Sequence, residues 1–173
     1  AFMPQSLSHL AYLDQPVPLP GTGRALMTPM VIARMIQLLD LQPGEDVLEY
    51  GGGTGYGAAL MARMGTQVTL WEPDVAALAM AEAALSHAAA DVAIAKGRPA
   101  ERAFDAILVS GACEAVPETL FSLLRGGGRL IAIEGLGRSA RVKLYQESGG
   151  NVSGRPVFDA AAPVLAEFRR IPA

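Results

Sequence analysis

One cysteine, Cys113, is the whole thiol content of this sequence of 173 residues. It excludes an internal disulfide, and no Cys/His cluster has the spacing of a metal site. A nucleophilic role for Cys113 would need a basic neighbour, and the nearest histidine in sequence is His87. A reducing cytoplasm is therefore the simplest compartment. Long apolar runs are also lacking. The alanine-rich stretch from Ala76 to Ala90 is interrupted by Glu82, Ser86 and His87, so no membrane span is expected. No signal-peptide pattern is visible, although a chain opening on Ala1 suggests that a natural start lies upstream. Positive charge is not in surplus: 14 Lys and Arg stand against 17 Asp and Glu, a net −3. A protein that tracks a phosphate backbone is usually basic, so nucleic acid is not the expected partner. Repeats, linkers and low-complexity segments are absent, and the length suits a single domain over 1–173.

What is present centres on Val47-Leu48-Glu49-Tyr50-Gly51-Gly52-Gly53-Thr54-Gly55-Tyr56. A short apolar run ends in a carboxylate, and glycines follow at 51, 53 and 55 before a helical pattern begins. Such glycines serve a backbone in left-handed dihedrals, or a ligand that must approach without a Cβ in its way. Two ligands compete for this pattern. Gly53 to Ala58 also fits G-x-G-x-x-A, a dinucleotide fingerprint. A dinucleotide would set its pyrophosphate on the helix start, near Glu49, and the two would repel. The pattern Glu-x-Gly-x-Gly-x-Gly also resembles the cofactor loop of class I S-adenosylmethionine methyltransferases, a ligand whose ammonium and sulfonium would instead be attracted there. Glu72, about 20 residues past the loop, stands where a nucleotide-binding unit puts the acid that holds ribose hydroxyls. It is followed by Pro73-Asp74, so an ordinary helix-start acid is the other reading.

The pattern predicts a lid-like, mostly irregular segment over 1–27, broken by Pro4, Pro16, Pro18 and Pro20. A body of sheet and helices over 28–173 follows. Thr28-Pro29 starts a helix, with Thr28 as N-cap. Strands are expected at Asp46–Tyr50, Gln67–Trp71, Val92–Ala95, Phe104–Ser110, Arg129–Glu134, Arg141–Glu147 and Val164–Arg169. Helices are expected at Tyr56–Arg63, Val75–His87 and Pro117–Leu124, the last stopped by Gly126-Gly127-Gly128. Ser148–Pro156 reads as a turn region. Strands alternating with helices imply an α/β fold with a parallel, doubly wound sheet. Ligands gather at the carboxyl ends of such strands, which brings Ser110 into view, as a residue facing a ligand or as a turn cap. Trp71 and Tyr56 flank the same region, His9 and His87 do not, and Arg169-Arg170 reads as a solvated strand end.

The chain resembles the protein-L-isoaspartate O-methyltransferases. The resemblance rests on Ala11-Tyr12-Leu13-Asp14 with the run Pro16–Leu19, Pro29-Met30-Val31-Ile32-Ala33-Arg34-Met35, the glycine loop, Phe104-Asp105-Ala106-Ile107, Pro117, Leu124–Leu130 and the ending Phe168-Arg169-Arg170-Ile171-Pro172. It implies a Rossmann-like, doubly wound, mostly parallel seven-stranded sheet with helices on both faces. It also implies S-adenosylmethionine as cofactor, and methylation of the free carboxylate of isoaspartyl residues in damaged proteins. Glu49, Gly51, Gly52, Gly53, Thr54, Gly55, Tyr56, Glu72, Pro73, Gly97 and Ser110 become the candidate cofactor residues. Members usually carry a helical segment ahead of the point where this chain opens. The chain departs from the family twice. The family's Thr-Ile-Ser-Gln-Pro segment is here Ala25-Leu26-Met27-Thr28-Pro29, so the serine that helps hold the substrate carboxylate is Met27, which has no donor. Either Thr28 supplies the hydroxyl as the catalytic candidate, or it only caps the helix and the acceptor site is altered or lost. The family's Gly-Asp-Gly, whose Asp contacts the adenine side, is here Gly97-Arg98-Pro99.

Overall fold

The computed structural model describes residues 1–170; Ile171 and Pro172, the last part of the resemblance, lie outside them. After a 3-10 turn at Gln5–Leu10 the chain forms a small antiparallel ribbon, β1 (Val17–Pro18) with β2 (Ala25–Leu26). Then come α1 (Pro29–Leu38), β3 (Asp46–Tyr50), α2 (Tyr56–Arg63), β4 (Gln67–Trp71), α3 (Val75–His87) and β5 (Val92–Ile94). The second half holds β6 (Phe104–Cys113), α4 (Glu118–Phe121), β7 (Leu124–Glu134), β8 (Arg141–Ser148) and β9 (Asn151–Asp159).

Seven strands form one sheet in the order β5-β4-β3-β6-β7-β8-β9. The first five in that order run parallel, and β8 and β9 return antiparallel. The period of two in an extended chain explains how this sheet buries both faces. Val47, Leu108 and Ile131 pack with Met35 and Met61 on one side. Leu48, Ile107 and Leu130 pack with Leu120 and Leu123 on the other. Alanines 77, 81 and 84 of α3 are buried, which lets that helix lie close to its neighbours. From β3 the chain winds outward through β4 and β5, then crosses back to lay β6 on the other side of β3. The carboxyl ends of β3 and β6 therefore flank the switch point where doubly wound sheets open a ligand crevice.

Three expectations need correction. Ser148–Pro156 is not a turn region: only Gly149-Gly150 turn, both in left-handed dihedrals, and β9 follows at once. A two-residue Gly-Gly loop is a hairpin signal. The strand it starts was hidden because β9 pairs on one side only and its residues up to Pro156 are exposed, so no apolar alternation marks it. Val164–Arg169 is not a strand. Val164 makes one bridge to Ala112, and Ala166–Phe168 is a 3-10 turn. The helix expected at Pro117–Leu124 is only α4, because Leu124 and the glycines 126–128 already belong to β7, with an irregularity opposite Asp105.

Candidate active site

The loop between β3 and α2 is built as its glycines suggest. Gly51, Gly53 and Gly55 have φ of 69, 56 and 78°, and Gly55 caps α2 in the left-handed region. An L side chain at these positions would be strained. Gly52 has a different reason to be glycine: a Cβ there would lie 1.9 Å from Glu49 Oε1 and 2.8 Å from Leu70. A Cβ at Gly57 would likewise lie 1.9 Å from Glu49 Oε2.

Glu49 is thus tucked under the loop, not held over it. It is 1% exposed. Its Oε2 accepts a hydrogen bond from the Ser110 hydroxyl at 3.0 Å, the backbone N–H of Ala58 also favours the carboxylate, and Oε1 has no partner among the described residues. Burial pushes this carboxyl up, the two hydrogen bonds pull it back in part, and the balance stands at about 8. Gly52→Ala is expected to lower stability by about 2–3 kcal/mol through forced displacement of this side chain. A thermal melt should show the midpoint falling by about 4–12 °C.

Glu72 lies at the tip of β4 and is buried. Its Oε2 accepts from the Gly53 N–H at 3.0 Å, and its Oε1 from the Asp74 N–H at 2.9 Å. It is also ion-paired to Arg24, whose Nε and Nη2 stand 3.0 and 2.8 Å from Oε1. The other end of the same guanidinium forks onto Glu167, at 3.0 Å from Nη1 and 2.6 Å from Nη2. Tyr50 donates its hydroxyl to Glu167 at 2.8 Å. Burial pulls the Arg24 guanidinium down, but its bonds to Glu167 and Glu72 outweigh this and hold it above its ordinary value. Glu167 is pushed up by burial and brought below the usual carboxylate range by Arg24 and Tyr50.

Two straps carry these side chains across the loop. The first is the β1–β2 ribbon, which rests Leu19 and Leu26 against Gly53 and hangs its tip on α3 through a hydrogen bond from the Gly23 N–H to Asp74. The second is the C-terminal run, stitched to the end of β6 by Ala112 N–H to Pro163 and Leu165 N–H to Ala112. It seats Leu165 against Gly51 and Gly111, and stacks Phe168 on Tyr50 with ring centroids 4.9 Å apart. Gly51 to Gly55 are all buried as a result.

The remaining expected residues spread out. Thr54 is buried with no partner for its hydroxyl among the described residues. Tyr56 is half-buried and meets Phe2 edge to face. Pro73 is exposed beside Glu72, and Gly97 is exposed beyond β5 with open space around it. Arg98 turns to Glu101 and Ser122. Thr28 sits at the N-cap position of α1 but its side chain makes no cap hydrogen bond, which corrects the capping expectation. Met27 is 3% exposed and packs into the core under α1. It also borders an apolar cavity of about 510 Å³, with Leu26, Ile32 and Tyr56. Cys113 is buried, which pushes its thiol up to about 12 and leaves no nucleophile. Among the described residues no His, Cys, Asp and Glu cluster could hold a metal, and no helix is long and apolar enough to cross a membrane.

Arg24, Glu167, Leu165 and Tyr50 are the members that sequence reasoning missed. One signal was available for the first: Arg24 is the sole Lys or Arg among residues 1–27. The chemical character of the site fits an adenosine-type cofactor. A left-handed glycine cradle lies at the switch point, and the acid on the neighbouring strand tip bonds back to that cradle.

Comparison with known proteins agrees with the fold and the motifs. A solved structure from Plasmodium falciparum, described as a protein-L-isoaspartate O-methyltransferase in complex with S-adenosyl-L-homocysteine, superposes with a TM-score of 0.80. It covers 96% of this chain and 84% of that one at 19% identity, a likeness of fold. A second structure, titled as a protein-L-isoaspartate O-methyltransferase, gives a TM-score of 0.78 at 25% identity, over 92% of this chain and 55% of that one. The protein-L-isoaspartate O-methyltransferase of Methylorubrum extorquens is 42% identical over 136 residues, 76% of this chain and 59% of the relative. A Rhodopseudomonas palustris protein-L-isoaspartate O-methyltransferase 1 is 34% identical over 180 aligned positions, 99% of this chain and 70% of the relative. The chain thus spans about three-fifths of the length of the first of these relatives. The sequence profile that describes protein-L-isoaspartate(D-aspartate) O-methyltransferase matches residues 1–161, and the chain belongs to that family.

Proposed function

We propose that the chain is the cofactor-binding core of a methyltransferase that uses S-adenosylmethionine and esterifies the free carboxylate of isoaspartyl residues in damaged proteins. The observation that carries this reading is the glycine cradle joined to Glu72 by the Gly53 N–H, in a chain whose first 161 residues match the family. S-adenosylmethionine would supply a methyl group already activated as a sulfonium. Glu72 would take the ribose hydroxyls and the backbone of Gly51 to Gly55 the methionine portion. Glu49, beneath the loop, would hold its shape through Ala58 and Ser110. An acceptor carboxylate is already an ionised nucleophile, so no strong base is required of the chain. Its task is to align the acceptor and exclude water, which two straps closing on the loop can do. The reading places the reaction in the cytoplasm, where a lone thiol such as Cys113 stays reduced.

A second reading is favoured by one observation. Met27, at the family's serine position, is buried in the core, and its thioether has no donor to offer an acceptor carboxylate. Thr28 has an uncommitted hydroxyl one residue on. The chain would then bind the cofactor and serve a changed acceptor. Titration calorimetry with S-adenosylhomocysteine, followed by methyl-ester formation on an isoaspartyl peptide against its aspartyl control, separates the two. Binding with ester on the isoaspartyl peptide alone is expected from the first reading. Binding without ester selects the second, and heat with NAD but not with S-adenosylhomocysteine removes both.

A further inference from the structure

Glu72 cannot meet a ligand in the state the structure shows. Its side chain is 0% exposed, and that of Arg24 only 4%. Oε1 receives Nε and Nη2 of Arg24 and the Asp74 N–H. Oε2 receives the Gly53 N–H and, at 3.2 Å, Nε again. A carboxylate offers about four lone-pair sites, and here donors already occupy them. Arg24 comes from the tip of a two-stranded ribbon whose ladder is only Val17–Leu26 and Pro18–Ala25. Isolated ribbons of this kind are marginal, so the tip is held chiefly by what it grips. Beyond Glu72 its grips are Asp74, through the Gly23 N–H, and Glu167.

Resting on the cofactor reading above, we propose that Arg24 is a displaceable plug of the nucleoside subsite. In the empty protein it saturates Glu72, and a ribose diol gains Glu72 only by moving the guanidinium off it and leaving it on Glu167. The geometry makes this exchange affordable. Glu167 already holds both Nη atoms in a fork, so the displaced cation keeps a carboxylate and is not stranded in a buried site. Arg24 therefore sets the affinity of the site, because the bound form must draw on a population whose Glu72 is free.

The proposal predicts opposite signs for two neighbouring substitutions. Arg24→Gln removes the competitor and should tighten S-adenosylhomocysteine binding by about tenfold while lowering the melting temperature of the free protein. Glu167→Gln removes the resting place of the displaced cation and should weaken binding by about tenfold. The double variant should bind like Arg24→Gln, since nothing is left to displace. Arg24→Lys, which keeps the charge but cannot fork onto two carboxylates, should fall between wild type and Arg24→Gln and guards against a variant that fails to fold. Calorimetric titration with S-adenosylhomocysteine, alongside circular dichroism of each variant, reads all four. Weaker or equal binding in both Arg24 variants, or a shift of the same sign in Glu167→Gln and Arg24→Gln, overturns the plug while leaving the cofactor reading intact. Binding in neither wild type nor Arg24→Gln overturns the cofactor reading and the plug with it.

Discussion

Replacing Glu49 with glutamine is expected to stabilise the chain at pH 8 and to flatten the dependence of its stability on pH. In the folded chain burial pushes this carboxyl up to about 8, more than the bonds from Ser110 and Ala58 pull it back, and its Oε1 faces Gly52 without a partner among the described residues. Unfolded, the same group titrates near about 4.3. Between these values the folded chain holds a proton that the unfolded chain has released. Stability must therefore fall as pH rises from about 4.5 through about 8, with the whole penalty present above that. A separation of this size corresponds to a loss on the order of 5 kcal/mol across the window. Glutamine keeps an acceptor for Ser110 and Ala58 and never ionises. Urea unfolding at pH 5 should place the variant within about 1 kcal/mol of the parent, and at pH 8 about 4 kcal/mol ahead. Parallel pH profiles for the two proteins would show that Glu49 is not the group that titrates.

The part of the fold that carries the glycine loop was legible because local chemistry and burial agree there. Strand β3, helix α2, strand β4 and helix α3 have the bounds that the pattern predicts, since each is bracketed by a glycine, proline or acid and filled by residues buried on the expected face. β9 was not legible. It is an edge strand of mostly exposed residues, and its serine, glycines and proline look like a loop until the Gly149-Gly150 turn is paired with β8. The ribbon lies within residues 1–27, expected to be mostly irregular, and the C-terminal strap falls where a strand is expected; neither expectation says what these runs hold. Arg24 meets Glu72 across 48 residues and Glu167 across 143, and no spacing rule reaches that far. Glu49 shows the opposite lesson. Its place after the β3 apolar run was visible, yet whether it points over the loop or under it depends on Gly52 and Gly57 leaving room beneath.

Removing the Glu72 carboxylate should be the most damaging single change in the site, and it separates two roles that the structure merges. Glu72→Ala strips the acceptor from the Gly53 and Asp74 N–H groups and leaves Arg24 with Glu167 alone. Leaving these two N–H groups without an acceptor costs about 1–3 kcal/mol each, and the pairing of Arg24 is lost only in part because Glu167 still holds the guanidinium. In a chain of this length the melting temperature should drop by roughly 10 °C. Binding of S-adenosylhomocysteine should fall by about 100-fold to 10,000-fold, the worth of two hydrogen bonds from ribose hydroxyls to a charged group. Pairing Glu72→Leu with Arg24→Met tells stability from recognition. The pair removes the cation together with its acceptor, so part of the lost stability should return, while Glu167 keeps only Tyr50 and the Gly53 and Asp74 N–H groups stay unpaired. Affinity should not return, since the diol still lacks its acceptor. A double variant that binds S-adenosylhomocysteine as the parent does would show that Glu72 serves only as a counter-ion for Arg24, and that the nucleoside is held elsewhere along the carboxyl edge of the sheet.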